Sequence, residues 1–393
     1  MRRRLLDETI KREASGEQIV AKSCARMLNE LDIFGKSTQS GTPTPETPVE
    51  IVSADQSGQI KTDVLGGNLL DLSQGKSGTR EGVTYTKNPD GSYRRIGTAT
   101  GTAGNVWFLG GYALDPNTPE NVLFTLKPGT YTFRDGVIFS NKEARRNTFT
   151  IDSDFKVTGV RNPSQELEKT YNDTIYPMLN VGSSALPFEP YKQPQTLILT
   201  TPNGLPGIPV SGDDYTYIDS AGQKWIADSI EYRRNGKCVR VQRIGKHEIS
   251  YVSAITNARQ KNPDYFGCEH LGIQGELINR QVGILCNKNI FLGIGKNLNG
   301  SEMTYVLVNG VIVFGIPKKL VQEQTKKAVN NYLKENPFDI IYPLKQPIET
   351  PLTSEEEATF KALHTNEPTT TIMNDENCGQ RLIYKTKKYL EVK

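Results

Sequence analysis

Apolar residues near the N-terminus recur with a spacing typical of a helix. The spacing alternates between four and three residues, as in a heptad stripe, through Val20, Cys24, Met27, Leu31 and Phe34. We therefore predict an N-terminal helix over residues 1–34, with this stripe as a contact between subunits. The stripe covers few heptads, so the pattern equally fits an ordinary amphipathic helix that packs within one subunit.

The pattern changes in residues 35–50, where prolines, threonines and other small polar residues replace the apolar stripe. Proline lacks the backbone N–H that a helix interior needs, so this segment is predicted to be an extended linker. It acts either as a clamp on neighbouring structure or as a plain spacer.

From residue 51 to residue 191 short apolar runs alternate with turn signals. The runs, such as residues 130–133 and 148–151, are rich in threonine, aromatic and β-branched residues that favour strands. Turn signals such as Asn-Pro-Asp-Gly at residues 88–91 separate them. We predict a β-sandwich of the jelly-roll type, because two packed sheets bury one face of each strand.

The rest of the chain continues this β pattern. Residues 192–249 predict a small β-meander with Trp225 as its core anchor, and residues 250–349 a second β-sandwich with one helix over residues 318–335. Residues 350–393 predict a C-terminal helix, at 350–364, and a tail. The expected fold is mainly β: two jelly-roll-like β-sandwich modules, a small meander between them, the N-terminal helix and a few short C-terminal helices.

Composition and charge exclude several classes of protein. The 47 Lys and Arg residues nearly balance the 44 Asp and Glu residues, without the basic stripe that nucleic-acid binding requires. No apolar run is long enough to insert in a membrane, and charged residues interrupt any signal peptide after Met1. The five cysteines are odd in number and far apart, which favours assembly in a reducing cytoplasm over a disulfide framework.

Residues of catalytic and metal-binding types occur in the chain without the spacing that such sites require. Cys268, His270 and Cys286 include zinc-ligand types, but no second close pair completes a tetrahedral site, and His247 and His364 have no partner at ligand spacing. The Gly-x-Ser-x-Gly elbow is absent. We predict no catalytic residues, no metal and no cofactor. Glycoside hydrolysis needs only two nearby carboxylates and stays open as an alternative.

Aromatic residues in the first predicted sandwich are candidates for saccharide contact, because sugar rings stack on aromatic faces beside polar groups. The candidates are Trp107, Tyr112, Tyr131 and Tyr191. The competing interpretation is that each ring fills the core of a small sandwich.

Four stretches in a fixed order carry a resemblance to known proteins. They are FGKSTQSGTPTPETPV (residues 34–49), GNLL (67–70), FEPY (188–191) with TPNGLPGIP (201–209), and PIETPLTSEEE (347–357) with ALHT (362–365). Together they resemble a family of phage minor structural, tail-fibre and baseplate-associated proteins from viruses that infect Gram-positive bacteria.

The resemblance implies a non-enzymatic virion component of a tail or baseplate, assembled in the host cytoplasm. It implies a homo-oligomer around the tail axis whose partners are other tail or baseplate proteins, with carbohydrate-binding-like sandwich modules. These modules are candidates for binding host cell-wall or capsular glycan. Two alternatives remain: a tail-associated glycan-degrading enzyme, and a secreted carbohydrate-binding adhesin, which the lack of a signal peptide disfavours.

Overall fold

A computed structural model describes most of the 393-residue chain. The described residues are 4–15, 18–22, 28–54, 58–102, 106–202, 204–219, 221–256, 262–273, 283–294, 304–308, 311–364, 366, 369–374 and 378–390. Within 4–29, 291–308 and 380–390 only the backbone is described.

The described chain is mainly β. The first six strands are β1 Arg4–Ser15, β2 Gln18–Lys22, β3 Leu28–Phe34, β4 Ser37–Thr38, β5 Val52–Ser53 and β6 Gln59–Gly66. The next eleven are β7 Gly78–Arg80, β8 Val83–Lys87, β9 Tyr93–Thr98, β10 Trp107–Gly110, β11 Phe124–Leu126, β12 Gly129–Ser140, β13 Glu143–Ile151, β14 Phe155–Val157, β15 Gly159–Arg161, β16 Thr170–Ile175 and β17 Met178–Val181.

Two α-helices interrupt the strands of the second half. The strands before the first helix are β18 Gln195–Thr200, β19 Gly207–Val210, β20 Tyr217–Ile218, β21 Lys224–Ala227, β22 Ser229–Tyr232, β23 Cys238–Ile249, β24 Ala254–Ile255, β25 Tyr265–His270, β26 Leu285–Cys286, β27 Ile290–Ile294, β28 Thr304–Val308 and β29 Val311–Pro317. The described α-helices and strands are completed by helix α1 Lys326–Glu335, β30 Phe338–Pro351, helix α2 Ser354–Ala362, β31 Thr369–Asn374 and β32 Gly379–Leu390, and two short 3-10 helices span Pro119–Asn121 and Lys318–Leu320.

Strands β7–β17 form a β-sandwich around one apolar core. One sheet has the order β16-β9-β8-β7, and the other contains β10-β15-β12-β13 with β17 also paired to β12. Tyr85 and Tyr93 from the first sheet pack with Phe108 and Phe133 from the second, and all four are almost completely buried. The alternation of apolar and polar residues along the strands favours this arrangement. In β8, Val83 and Tyr85 are buried, while Thr84 and Thr86 are exposed.

The largest sheet joins both ends of the chain to its middle. Its order is β1-β32-β3-β22-β23-β30-β26, and β1 pairs with β32 along its whole length, from Arg4 opposite Leu390 to Ser15 opposite Gly379. The sheet therefore takes strands from the segments predicted as N-terminal helix, meander, second sandwich and C-terminal tail. A second sheet, β18-β6-β31-β2, mixes distant segments in the same way.

The later part of the chain packs a five-stranded sheet, β24-β25-β29-β28-β27, against β23, β30 and α1. Phe266 and Phe314 from this sheet contact the core that Ile249 and Phe338 enter from β23 and β30. Among the described residues, neither helix is long and apolar enough to span a bilayer.

The predicted N-terminal helix is wrong in the described residues, because residues 4–15, 18–22 and 28–34 are strands. Leu31 and Ile33 of β3 are completely buried, and β3 lies hydrogen-bonded between β22 and β32. The hydrogen bonds to β22 and β32 satisfy the backbone N–H and C=O groups of β3. A helix would satisfy the same groups by hydrogen bonds within itself.

Candidate functional site

A groove of about 220 Å³ opens at one end of the sandwich, and we call it the Tyr191 groove. Three segments line it: residues 68–73 after β6, residues 87–91 in the β8–β9 turn, and residues 190–193. Each segment leaves a strand or approaches one, so the rigid sandwich holds the loops in place.

Asn68 holds two of these segments together. Its buried side chain donates from Nδ2 to the Glu189 carbonyl (3.0 Å) and accepts at Oδ1 from the N–H groups of Leu70 (3.0 Å) and Leu179 (3.3 Å). A buried amide whose nitrogen and oxygen are both hydrogen-bonded to the main chain fixes the orientation of the surrounding backbone. The start of the first loop is thereby tied to the residue pair that precedes Tyr191.

The β8–β9 turn presents Asp90 at the groove. Asp90 Oδ1 accepts from the Ser92 N–H (2.9 Å) and the Ser92 hydroxyl (2.6 Å), and the hydroxyl bond is the main cause that lowers the pKa of this carboxyl. Gly91 adopts φ of 88°, a left-handed conformation that glycine accepts without strain. The turn therefore holds an ionised carboxylate at the rim.

Tyr191 provides the aromatic surface of the groove. Burial, followed by the nearby Asp71 and Asp63 carboxylates, raises the pKa of the Tyr191 phenol, so its hydroxyl stays protonated and can donate a hydrogen bond. The ring is half-buried, which leaves part of it accessible to a ligand.

The groove mixes hydrogen-bond donors and acceptors around that ring. Asp71 and Asp90 are acceptors, Lys87 is a donor, and the Gln193 amide is both. Asp71 Oδ1 accepts from the Ser73 N–H (2.8 Å), and Lys87 donates to the Ser73 carbonyl. This combination matches a polyhydroxylated ring, whose hydroxyl groups both donate and accept and whose C–H face packs on an aromatic ring. The volume is below the roughly 300–1,000 Å³ of drug-sized sites and suits one ring at a time.

The structure places the four predicted saccharide contacts in three different environments. Tyr191 alone lines the groove. Trp107 and Tyr112 lie elsewhere on the sandwich and both contact the Phe139 ring, with centroids 5.1 Å and 5.8 Å away. Tyr112 is 56% exposed, whereas Trp107 is half-buried.

Tyr131 is a core residue and not an exposed contact. Its side chain is completely buried, its hydroxyl donates to the Lys127 carbonyl at 2.9 Å, and its ring stacks on Phe149. Tyr131 therefore fills the core of the sandwich, as the alternative to a saccharide contact predicted.

The residues predicted as a subunit contact do not form one helical stripe. Leu31 and Phe34 are buried, at 0% and 2% exposure, in two different core clusters. Val20 lies in β2 opposite Thr371. Cys24 and Met27 lie outside the described residues.

Sequence reasoning missed most of the polar residues of the groove. Asp71, Lys87 and Gln193 come from segments that carry no recognisable binding motif, and Asp90 was recognised only as part of a turn. The signal that could have indicated them is the clustering of Asn-Pro-Asp-Gly with the flanking Lys87, since turn residues at one end of a sandwich converge.

Comparison of this chain with models of known protein families, with curated proteins and with solved structures finds no match. The site is therefore interpreted from its own geometry.

Proposed function

We propose that this chain is a non-enzymatic virion structural protein of a phage tail or baseplate, whose sandwich binds host cell-surface glycan in the Tyr191 groove. The single observation that supports glycan binding is the groove, in which one half-buried aromatic ring lies among donors and acceptors. The four ordered stretches between residues 34 and 365 support the virion assignment. In this proposal the chain forms a homo-oligomer and contacts other tail or baseplate proteins.

A glycan-degrading tail enzyme is the second candidate, because two carboxylates, Asp71 and Asp90, line the same groove. Hydrolysis requires one carboxyl that stays protonated near neutral pH, which means a raised pKa. The Ser92 hydroxyl instead lowers the pKa of Asp90. A lowered pKa fits the ionised partner of such a pair and not its acid, so this second candidate requires Asp71 as the acid.

The test is a binding screen of the purified chain against cell-wall and capsular glycans, with product analysis and the mass in solution. We expect Tyr191→Ala to weaken binding of the selected glycan at least tenfold, because a central aromatic contact is commonly worth more than about 1.4 kcal/mol, which is tenfold in affinity. Tyr112→Ala is the matched control, an exposed tyrosine on the same sandwich, and should bind like the native chain.

Other outcomes would overturn specific parts of the proposal. Loss of binding in Tyr112→Ala but not in Tyr191→Ala would move the glycan to the Trp107 and Tyr112 surface. Shortened glycan products that disappear in Asp71→Asn would establish the enzyme. Failure of the native chain to bind any cell-surface glycan would remove the receptor role.

A further inference from the structure

The outer face of the sandwich sheet β10-β15-β12-β13 carries a small aromatic cluster. Ile138 of β12 belongs to the sandwich core, so its neighbours Val137 and Phe139 project from the opposite, outer face. Phe139 is nevertheless only 5% exposed. The Trp107 ring covers part of it, with centroids 5.1 Å apart, and the Arg161 guanidinium lies 5.4 Å from its centroid. Arg161 is therefore held beside an aromatic surface.

Two arginines from different strands flank Val137 on this outer face. Arg161 of β15 pairs directly with Val137 of β12. Ala144 of β13 pairs with Phe139, and Arg146, two residues further along β13, therefore projects from the same face. Since β15 and β13 are both neighbours of β12, the backbones of the two arginines lie about 10 Å apart. Two long side chains reach across this distance.

The two guanidinium groups lie close enough to repel each other. Burial, followed by the charge of Arg146, lowers the pKa of Arg161. Arg161 still remains charged at neutral pH, because a guanidinium does not lose its proton in proteins. Like charges that face each other across a sheet destabilise it, so this pair costs stability unless an anion lies between the two groups.

No carboxylate in the described part of the chain offsets this repulsion. Arg161 donates to the Asn162 carbonyl at 3.2 Å, which orients the guanidinium without neutralising it. Glu143, the one acid on β13, is paired with Arg145 instead. Neither Arg161 nor Arg146 forms an ion pair with a described residue. Unpaired charges that perturb each other are a feature of binding sites.

A phosphate monoester matches the two arginines in charge. It carries about −1.5 to −2 at neutral pH, against two positive charges, and its oxygens accept the paired N–H groups of a guanidinium. A carboxylate carries a single negative charge and would leave one arginine uncompensated. Trp107 lies opposite Arg161 on β10 and is half-buried, so a sugar ring attached to the phosphate can pack on its accessible part.

We propose that Arg161 and Arg146 bind the phosphate of a phosphorylated sugar whose ring packs on Trp107. This site shares no residue with the Tyr191 groove and does not rest on the function proposed for that groove.

The test is a calorimetric titration of the full-length chain at low ionic strength with glucose 6-phosphate as the probe. We expect glucose 6-phosphate to bind at least tenfold more tightly than glucuronate, which carries a carboxylate, and more tightly than inorganic phosphate, which has no ring. Arg161→Gln and Arg146→Gln should each weaken its binding at least tenfold, because each removes charge-assisted hydrogen bonds. Trp107→Ala should reduce the affinity to that of inorganic phosphate.

Arg145→Gln is the matched control, because Arg145 is the neighbour of Arg146 on β13 and is already paired with Glu143. It should bind glucose 6-phosphate like the native chain, and so should Tyr191→Ala, which separates this site from the groove. Since Arg146 is exposed, Arg146→Gln is expected to stay folded even where Arg161→Gln does not.

Four results would each overturn the proposal. They are no binding of glucose 6-phosphate by the native chain, equal affinity for glucuronate, equal losses in Arg145→Gln and Arg146→Gln, and loss of binding in Tyr191→Ala.

Discussion

Asp228 is a buried carboxyl whose role is structural. Its Oδ1 accepts from the backbone N–H groups of Arg243 (2.6 Å) and Ile244 (2.8 Å), where the pairing of β23 with β30 shifts register. A bulge leaves backbone donors without ladder partners, and the side chain supplies an acceptor for them. Burial raises the pKa of Asp228 to about 7 despite these two bonds.

This raised pKa predicts a dependence of stability on pH. Unfolded Asp has a pKa near 3.9, so between that value and about 7 the folded state holds a proton that the unfolded state has released. Raising the pH through this window therefore lowers the free energy of unfolding. Asp228→Asn keeps the Oδ1 acceptor without this proton. The free energy of unfolding of Asp228→Asn, measured relative to that of the native chain, should therefore rise by on the order of 2–4 kcal/mol between pH 4 and pH 8.

Urea unfolding at a series of pH values measures this gain. Asp213→Asn, at an exposed carboxyl beside β21, is the control and should follow the native chain. A difference between Asp228→Asn and the native chain that stays constant with pH would contradict the assignment.

At the scale of elements, Glu356 connects α2 to two different sheets. Its carboxylate accepts from the Thr200 N–H of β18 (3.0 Å) and from Arg240 of β23 (2.6 Å). It also forms a capping box with Thr353, which satisfies free N–H groups at the start of the helix. One buried side chain thus fixes the position of the helix as well as its first turn.

Glu356→Ala should therefore cost about 2–3 kcal/mol of unfolding free energy, because it removes the capping-box bond from the Thr353 N–H and the bonds that the charged carboxylate accepts from Thr200 and Arg240. Glu355→Ala is the matched control, because Glu355 is the exposed neighbour in the same turn, and it should change stability by less than about 0.5 kcal/mol. Chemical denaturation of both variants gives the comparison. Equal stabilities for the two would show that the contacts of Glu356 are not stabilising.

Strand β3 shows how an element can be misread from its pattern. The residues Leu28-Asn-Glu-Leu-Asp-Ile-Phe34 fit both a heptad stripe and a strand. The strand is formed because Leu31 lies opposite Tyr232 of β22 and Leu382 of β32, so both edges of β3 are hydrogen-bonded. Partners two hundred or more residues away are invisible to a local spacing rule.

At the scale of the whole molecule, the seven-stranded sheet makes the N-terminal region part of the core. Leu31 and Ile33 share a buried cluster with Ile230 and Phe360, and β32 from the C-terminal region covers the other edge of β3. A removable N-terminal arm would have no such contacts. The sheet thus ties the two ends of the chain to its centre.

Leu31→Asp is therefore expected to unfold the chain, and not to release a folded monomer as a surface contact would. Truncating a buried leucine to alanine already costs about 2–5 kcal/mol, and a buried charge costs more. Ile198→Asp, at a 53% exposed position on β18, is the control and should remain folded. Circular dichroism and mass in solution distinguish the outcomes. A folded Leu31→Asp chain of reduced mass would support the subunit contact instead.

The amino-acid sequence by itself determined the mainly β class of this protein, because alternating residues such as Val83 and Tyr85 between threonines reflect one buried face of a strand. The sequence also indicated Tyr191 as a candidate saccharide contact, but it did not indicate the groove that the surrounding loops form. Only the tertiary structure decided that Tyr131 is core, that β3 is a strand, that Asp71 and Asp90 share a groove, and that Arg146 lies near Arg161. The physical reason is shared by all four: each depends on contacts between distant segments, which local spacing and residue type do not encode.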